Sequence, residues 1–163
     1  MGLHLLEREK RACGGQPDPK PKFEGHEYIL GRQLKPEART DIIERLAEAG
    51  IVPTSMIDIT DGLASETLHL CKSSGCGARI YLDRLPIARQ THDMAEELHA
   101  DPVVAALNGG QDYELLFTVP LSKQQEIFAL GVDVIGHVTA AGTGAMLVTP
   151  DGSEIALKAP GWK

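Results

Sequence analysis

Basic residues are in the minority: 16 Lys and Arg stand against 23 Asp and Glu, for a formal net charge of −7. A nucleic-acid surface needs clustered cations facing the phosphates. The one dense stretch, Arg8-Glu9-Lys10-Arg11, is interrupted by an acid and reads as a solvated helix face. Cysteine is also scarce. Cys13, Cys71 and Cys76 form no even-numbered framework and no Cys-x-x-Cys, which argues against a disulfide scaffold or a structural zinc site and leaves idle thiols. Aromatic residues make up 4% of the chain, so the core is expected to be mainly aliphatic. No run approaches the ~20 apolar residues of a membrane span. No apolar segment followed by a small-residue cleavage site marks a secretory leader, so the cytoplasm is the default location. A Walker-type Gly-Lys-Ser/Thr loop is missing, as is a positioned nucleophile pair, which argues against a P-loop kinase and a hydrolase.

What is present is a globular composition, 42% hydrophobic over 163 residues, enough for one domain with a sizeable core. Helical spacing or β-forming runs predict helices over 3–13, 26–34, 87–98, 102–107 and 122–130, and strands over 56–59, 78–82, 113–119 and 132–138. A helix starting at Pro36 carries Ile42, Ile43, Leu46 and Ala47 at helical spacing and ends at Gly50. Gly75-Cys76-Gly77 caps another helix that begins near Leu63. Pro150-Asp151-Gly152-Ser153 joins two further strands as a hairpin. Helices alternating with strands predict an α/β fold, an α+β sandwich with a mixed β-sheet packed with helices.

The most informative segment is Ser55-Met56-Ile57-Asp58-Ile59-Thr60-Asp61-Gly62-Leu63. It reads as a short buried strand ending in two carboxylates and a hydroxyl, then turning through glycine into a helix. No Lys or Arg lies nearby to neutralise the acids. Oxygen ligands of this kind suit a hard cation such as magnesium, which usually takes one or two carboxylates together with substrate phosphates. The competing reading is a helix cap, with Thr60 or Asp61 accepting hydrogen bonds from the first free amides. Alternation would place Ile57 and Ile59 on one face of the strand and Asp58 on the other, near its end. The helix amino terminus would offer amides and a favourable dipole to phosphate.

A second segment, Leu107-Asn108-Gly109-Gly110-Gln111-Asp112-Tyr113-Glu114-Leu115-Leu116-Phe117-Thr118-Val119-Pro120, closely resembles the "GGEDYELLFTVP" signature of thiamine-monophosphate kinases. The Asp58 segment resembles their "IDISDGL" signature, and Ser74–Ile80 and Leu85–Ile87 also match the family pattern. The resemblance runs from about Gly50 to Trp162. It implies an α/β carboxy-terminal domain of the superfamily that includes aminoimidazole-ribonucleotide synthetase and selenophosphate synthetase. Its "GDDAA"-bearing amino-terminal domain is not in this sequence. Residues 1–35 would then be a lead-in from that domain, and 36–163 the ATP- and substrate-binding domain.

The resemblance implies ATP-dependent phosphorylation of thiamine monophosphate, with Asp58 and Asp61 on magnesium (Mg2+) and Thr60 on ATP. Gln111 stands where the family usually has Glu, at a substrate contact; it keeps the shape and loses the charge. Trp162 matches a family aromatic that packs on the substrate, where a π-face suits a cationic ring; its alternative role is a core anchor for the terminus. Asp112 and Glu114 flank Tyr113 and could position the loop. The full protein is expected to dimerise mainly through the other domain, and this chain alone to lack activity. A sister activity of the superfamily and a non-catalytic binding module are the alternatives.

Overall fold

A computed structural model describes residues 1–14 and 20–159. Three helices lead in: α1 (Gly2–Cys13), α2 (Glu27–Leu34) and α3 (Thr40–Glu48). They are followed by β1 (Ser55–Asp58), α4 (Leu63–Ser74), β2 (Gly77–Tyr81), α5 (Arg89–Leu98) and α6 (Pro102–Asn108). The chain continues through β3 (Leu115–Thr118), α7 (Gln124–Ala129), β4 (Gly136–Thr139), β5 (Ala145–Val148) and β6 (Glu154–Ala156).

The mixed sheet is present as β4-β2-β5-β6, with β2 antiparallel to β4 and parallel to β5, and β5 antiparallel to β6 across the expected hairpin. Strands β1 and β3 stand apart as a two-stranded antiparallel ladder, Ser55 opposite Thr118 and Asp58 opposite Leu115. The side chains explain this arrangement. Ile59 and Leu116 pack into one core with Leu63, Ala64, Ile80, Leu107 and Leu147. Met56, Leu115, Phe117 and Val119 pack into a second core with Ile42, Leu46, Ile51 and Ile127. A strand buried on both faces carries a near-continuous apolar run, as Leu115-Leu116-Phe117 does. A third cluster, Leu5, Ile29 and Met94, joins α1, α2 and α5.

Helix ends follow local chemistry. Asp101 caps α6, its carboxylate accepting from Val103 N–H at 2.7 Å, with Pro102 at the first helical position. Helices α3, α4, α5 and α7 each stop at a left-handed residue: Gly50, Gly75, His99 and Gly131. In each, the next N–H returns to a carbonyl five residues back: Ile51 to Leu46, Cys76 to Cys71, Ala100 to Ala95 and Val132 to Ile127. This is the Schellman closure, which satisfies carbonyls the helix leaves open. Two boundaries depart by several residues: the strand expected over 132–138 forms only as β4, from Gly136, and a helix start is displaced as well. Helix α3 starts at Thr40, not at Pro36, because Arg39 is held outside it by ion pairs to Asp41 and Glu114.

Candidate functional site

The site lies where β1 runs out. Past Asp58 the ladder continues as irregular backbone pairing with the segment that precedes β3. Ile59 N–H donates to Glu114 O at 2.8 Å, Tyr113 N–H to Ile59 O at 2.9 Å, and Gln111 N–H to Thr60 O at 2.6 Å. The two signature segments therefore share one hydrogen-bonded seam.

Two glycines permit the approach. Gly62 has φ +112°, and a Cβ there would stand 2.6 Å from Leu107 O. Gly110 has φ +66°, and a Cβ there would stand 2.7 Å from Thr60 O. No side chain fits either position. Gln111 (φ 58°) and Tyr113 (φ 53°) also sit in the left-handed region, where non-glycine residues are uncommon. Strain of this kind persists where surrounding contacts over-determine the backbone, and it clusters at binding sites.

Asp58 is exposed at the end of β1, while Thr60 and Asp61 are half-buried in the turn. Gly62 is the N-cap of α4 and has no side chain. Neither Thr60 nor Asp61 holds the cap position, contrary to the capping alternative. The buried acid is instead Glu66, 3% exposed, in the first turns of α4. Its Oε1 accepts from Asp61 N–H at 3.0 Å and from Thr60 Oγ1 at 3.3 Å. Glu66 reaches back to the turn as the acid of a capping box does, one position further along the helix. Sequence reading missed it. The available signal was an acid in the first turns of α4, flanked by Ser65 and Thr67, in a helix whose early residues are all buried.

Gln111 is exposed, and its Oε1 accepts from Gln33 Nε2 at 2.9 Å. Arg32 donates to the Asp112 carbonyl and, at 2.8 Å, to Glu114 Oε1; Arg39 takes the other oxygen of Glu114. Glu114 thus positions the loop by fastening it to α2 and to the lead of α3. Burial pushes the Asp112 carboxyl up to about 6, against the opposing pull of Arg32. Trp162 lies outside the described residues.

Among the described residues, no group of three or more His, Cys, Asp or Glu is assembled for a metal ion. Asp58 and Asp61 offer two carboxylates. That number fits magnesium, which takes one or two from protein and the rest from phosphates and water, and it does not fit a self-sufficient structural site. No helix among the described residues is long and apolar enough to cross a membrane.

Residues 2–149 match the family described as AIR synthase related protein, C-terminal domain. A thiamine-monophosphate kinase of Aquifex aeolicus is 32% identical over 99% of this chain and 46% of its own length. One from Escherichia coli strain K12 is 38% identical over 84% of this chain and 41% of its own. A solved structure of AaThiL complexed with AMPPCP and TMP superposes with a TM-score of 0.69 at 31% identity, covering 94% of this chain and 44% of that one. The chain thus spans less than half the length of the curated relatives it matches.

Two expectations follow from the site. Glu66→Ala removes the acceptor for a backbone amide and a hydroxyl, and should cost roughly 1–3 kcal/mol in urea denaturation. A loss below a few tenths would show the turn to be held without Glu66. For Asp112, the raised folded value means that the native state binds more protons than the unfolded chain between pH ~4 and ~6. Its contribution to stability is present below that window and is lost as pH rises through about 6. Asp112→Asn should therefore gain stability over wild type as pH rises from 4 to 7. Parallel pH curves for the two proteins would contradict the assignment.

Proposed function

The chain belongs to the AIR synthase related protein family, through its C-terminal domain, and on that premise we propose that it forms the carboxy-terminal part of an ATP-dependent thiamine-monophosphate kinase. The observation that carries the reading is the seam that fixes the Asp58–Asp61 turn against the Gly110–Gln111 loop. It sets metal-suited carboxylates beside a second loop of different chemistry, and relatives 32% and 38% identical to this chain are named thiamine-monophosphate kinases.

Asp58 and Asp61 would hold magnesium, whose chemistry is to bridge and neutralise phosphate oxygens. Thr60 faces the nucleotide. Gln111 contributes to the thiamine phosphate pocket, and Trp162 would add an aromatic face to it. The acceptor is an ionised phosphate oxygen, so no strong general base is required. The chain's own task is alignment: holding two carboxylates and a hydroxyl in a turn that does not reorganise during transfer. Residues 1–35 lead in from an amino-terminal domain that supplies further metal ligands and the dimer contact, and 36–163 form the ATP- and substrate-binding unit. The protein works in the cytoplasm.

The test is phosphoryl transfer from ATP to thiamine monophosphate with magnesium, using the protein that joins this chain to its amino-terminal domain. Wild type should turn over, and Asp58→Asn should lose roughly 100-fold or more in kcat, the scale of removing one transition-state electrostatic contact. Equal rates would remove Asp58 from the metal site. The 163-residue chain by itself should show no turnover; measurable transfer would place all essential ligands within it.

A further inference from the structure

We propose that Cys71 and Cys76 are a redox modification site that closes into an intramolecular disulfide across the carboxy-terminal end of α4. The four Schellman closures share one side-chain pattern. In this motif the residue three positions inside the helix end and the second residue beyond it commonly pack side chain on side chain. In α3 that pair is Leu46 and Ile51, each 3% exposed in the same core, and in α7 it is Ile127 and Val132, again in one cluster. In α5 it is Ala95 and Ala100. In α4 the same two positions hold Cys71 and Cys76.

The Cys76 N–H donates to the Cys71 carbonyl at 3.0 Å, with Gly75 left-handed between them. This bond holds the two backbones side by side, the condition for a disulfide, whose Cα atoms stand about 4.4–6.8 Å apart. Both thiols are half-buried, which leaves room for a small reagent, and both are free.

The co-reactant is a low-molecular-weight disulfide, RSSR. Burial and the adjoining Cys76 push the Cys71 thiol up, so Cys71 serves as the second, resolving thiol. The Cys76 thiolate, its proton given to water, attacks one sulfur of RSSR and expels RS⁻, leaving Cys76–S–S–R. Cys71 then loses its proton and attacks Sγ of Cys76, expelling the second RS⁻. Both released thiolates take up protons. Two protein thiols are oxidised by two electrons, and RSSR is reduced to two RSH. The product ties the last turn of α4 to the start of β2. It leaves the Glu66 end of α4 untouched, so the site does not depend on the proposed kinase activity.

The purified chain is equilibrated across reduced-to-oxidised glutathione ratios, acid-quenched, alkylated and digested for mass spectrometry. The expected result is a peptide joining Cys71 to Cys76 with two hydrogens lost, while Cys13 stays alkylated. The oxidised protein should melt roughly 5 °C higher than the reduced one, and reductant should reverse the rise. In Cys71→Ser and Cys76→Ser the cross-link and the melting shift should both vanish. Cys71 and Cys76 remaining alkylated at every ratio would overturn the proposal. So would oxidation found only as bonds between chains, or a melting shift that survives in both serine variants.

Discussion

The constraint on which the site depends is the close approach of two backbones, Ile59–Gly62 against Leu107–Glu114. Three main-chain hydrogen bonds join them, and two glycines make the distance possible. These are not interchangeable contacts. A buried N–H left without a partner costs more than a made bond gains, so the seam closes as a unit. The left-handed Gln111 and Tyr113 are the conformational cost of bending the second segment to meet the first. The turn carrying Asp58, Thr60 and Asp61 therefore inherits its shape from a segment distant in sequence.

Rigidity at the seam comes from what lies behind it. The β1–β3 ladder is packed between two aliphatic cores, so the strand that delivers Asp58 cannot slide by one residue without turning core side chains the wrong way. Arg32, Arg39 and Gln33 fasten the outer loop from the side of α2 and α3. Partly exposed ion pairs add little stability individually. Here two arginines share one carboxylate, Glu114, whose own carbonyl is bonded to Ile59 N–H. The network serves to fix a register more than to add stability.

Much of this was legible in the sequence because it is local. Asp101-Pro102 announces a capped helix start, and Gly50 and Gly75 announce helix ends. The alternation that stops at Asp58 announces a strand meeting solvent. The literal strings around Asp58 and Gly110 identified the family. What was not legible is long-range. Nothing local says that β1 leaves the mixed sheet to pair with β3, since that depends on which core each face finds. Pro36 satisfies a helix-start rule, yet Arg39 finds Glu114 far along the chain and delays the helix to Thr40. Glu66 was hidden because an acid early in a helix usually points to water. Here every residue from Leu63 to Thr67 is buried, and the acid turns inward to the loop.

Glu66 also changes the electrostatic argument for the site. A helix amino terminus ordinarily welcomes phosphate, through free amides and the positive end of the dipole. At α4 that end already faces the Glu66 carboxylate, which accepts the Asp61 amide, and Asp58 and Asp61 add two more acids nearby. A phosphate brought here alone would meet like charge in a chain of net charge −7. The α4 amino terminus is therefore not a bare anion cradle. Phosphate becomes welcome there only with a cation between it and the carboxylates, which is the role proposed for Asp58 and Asp61. Glu66, buried, keeps their turn in place.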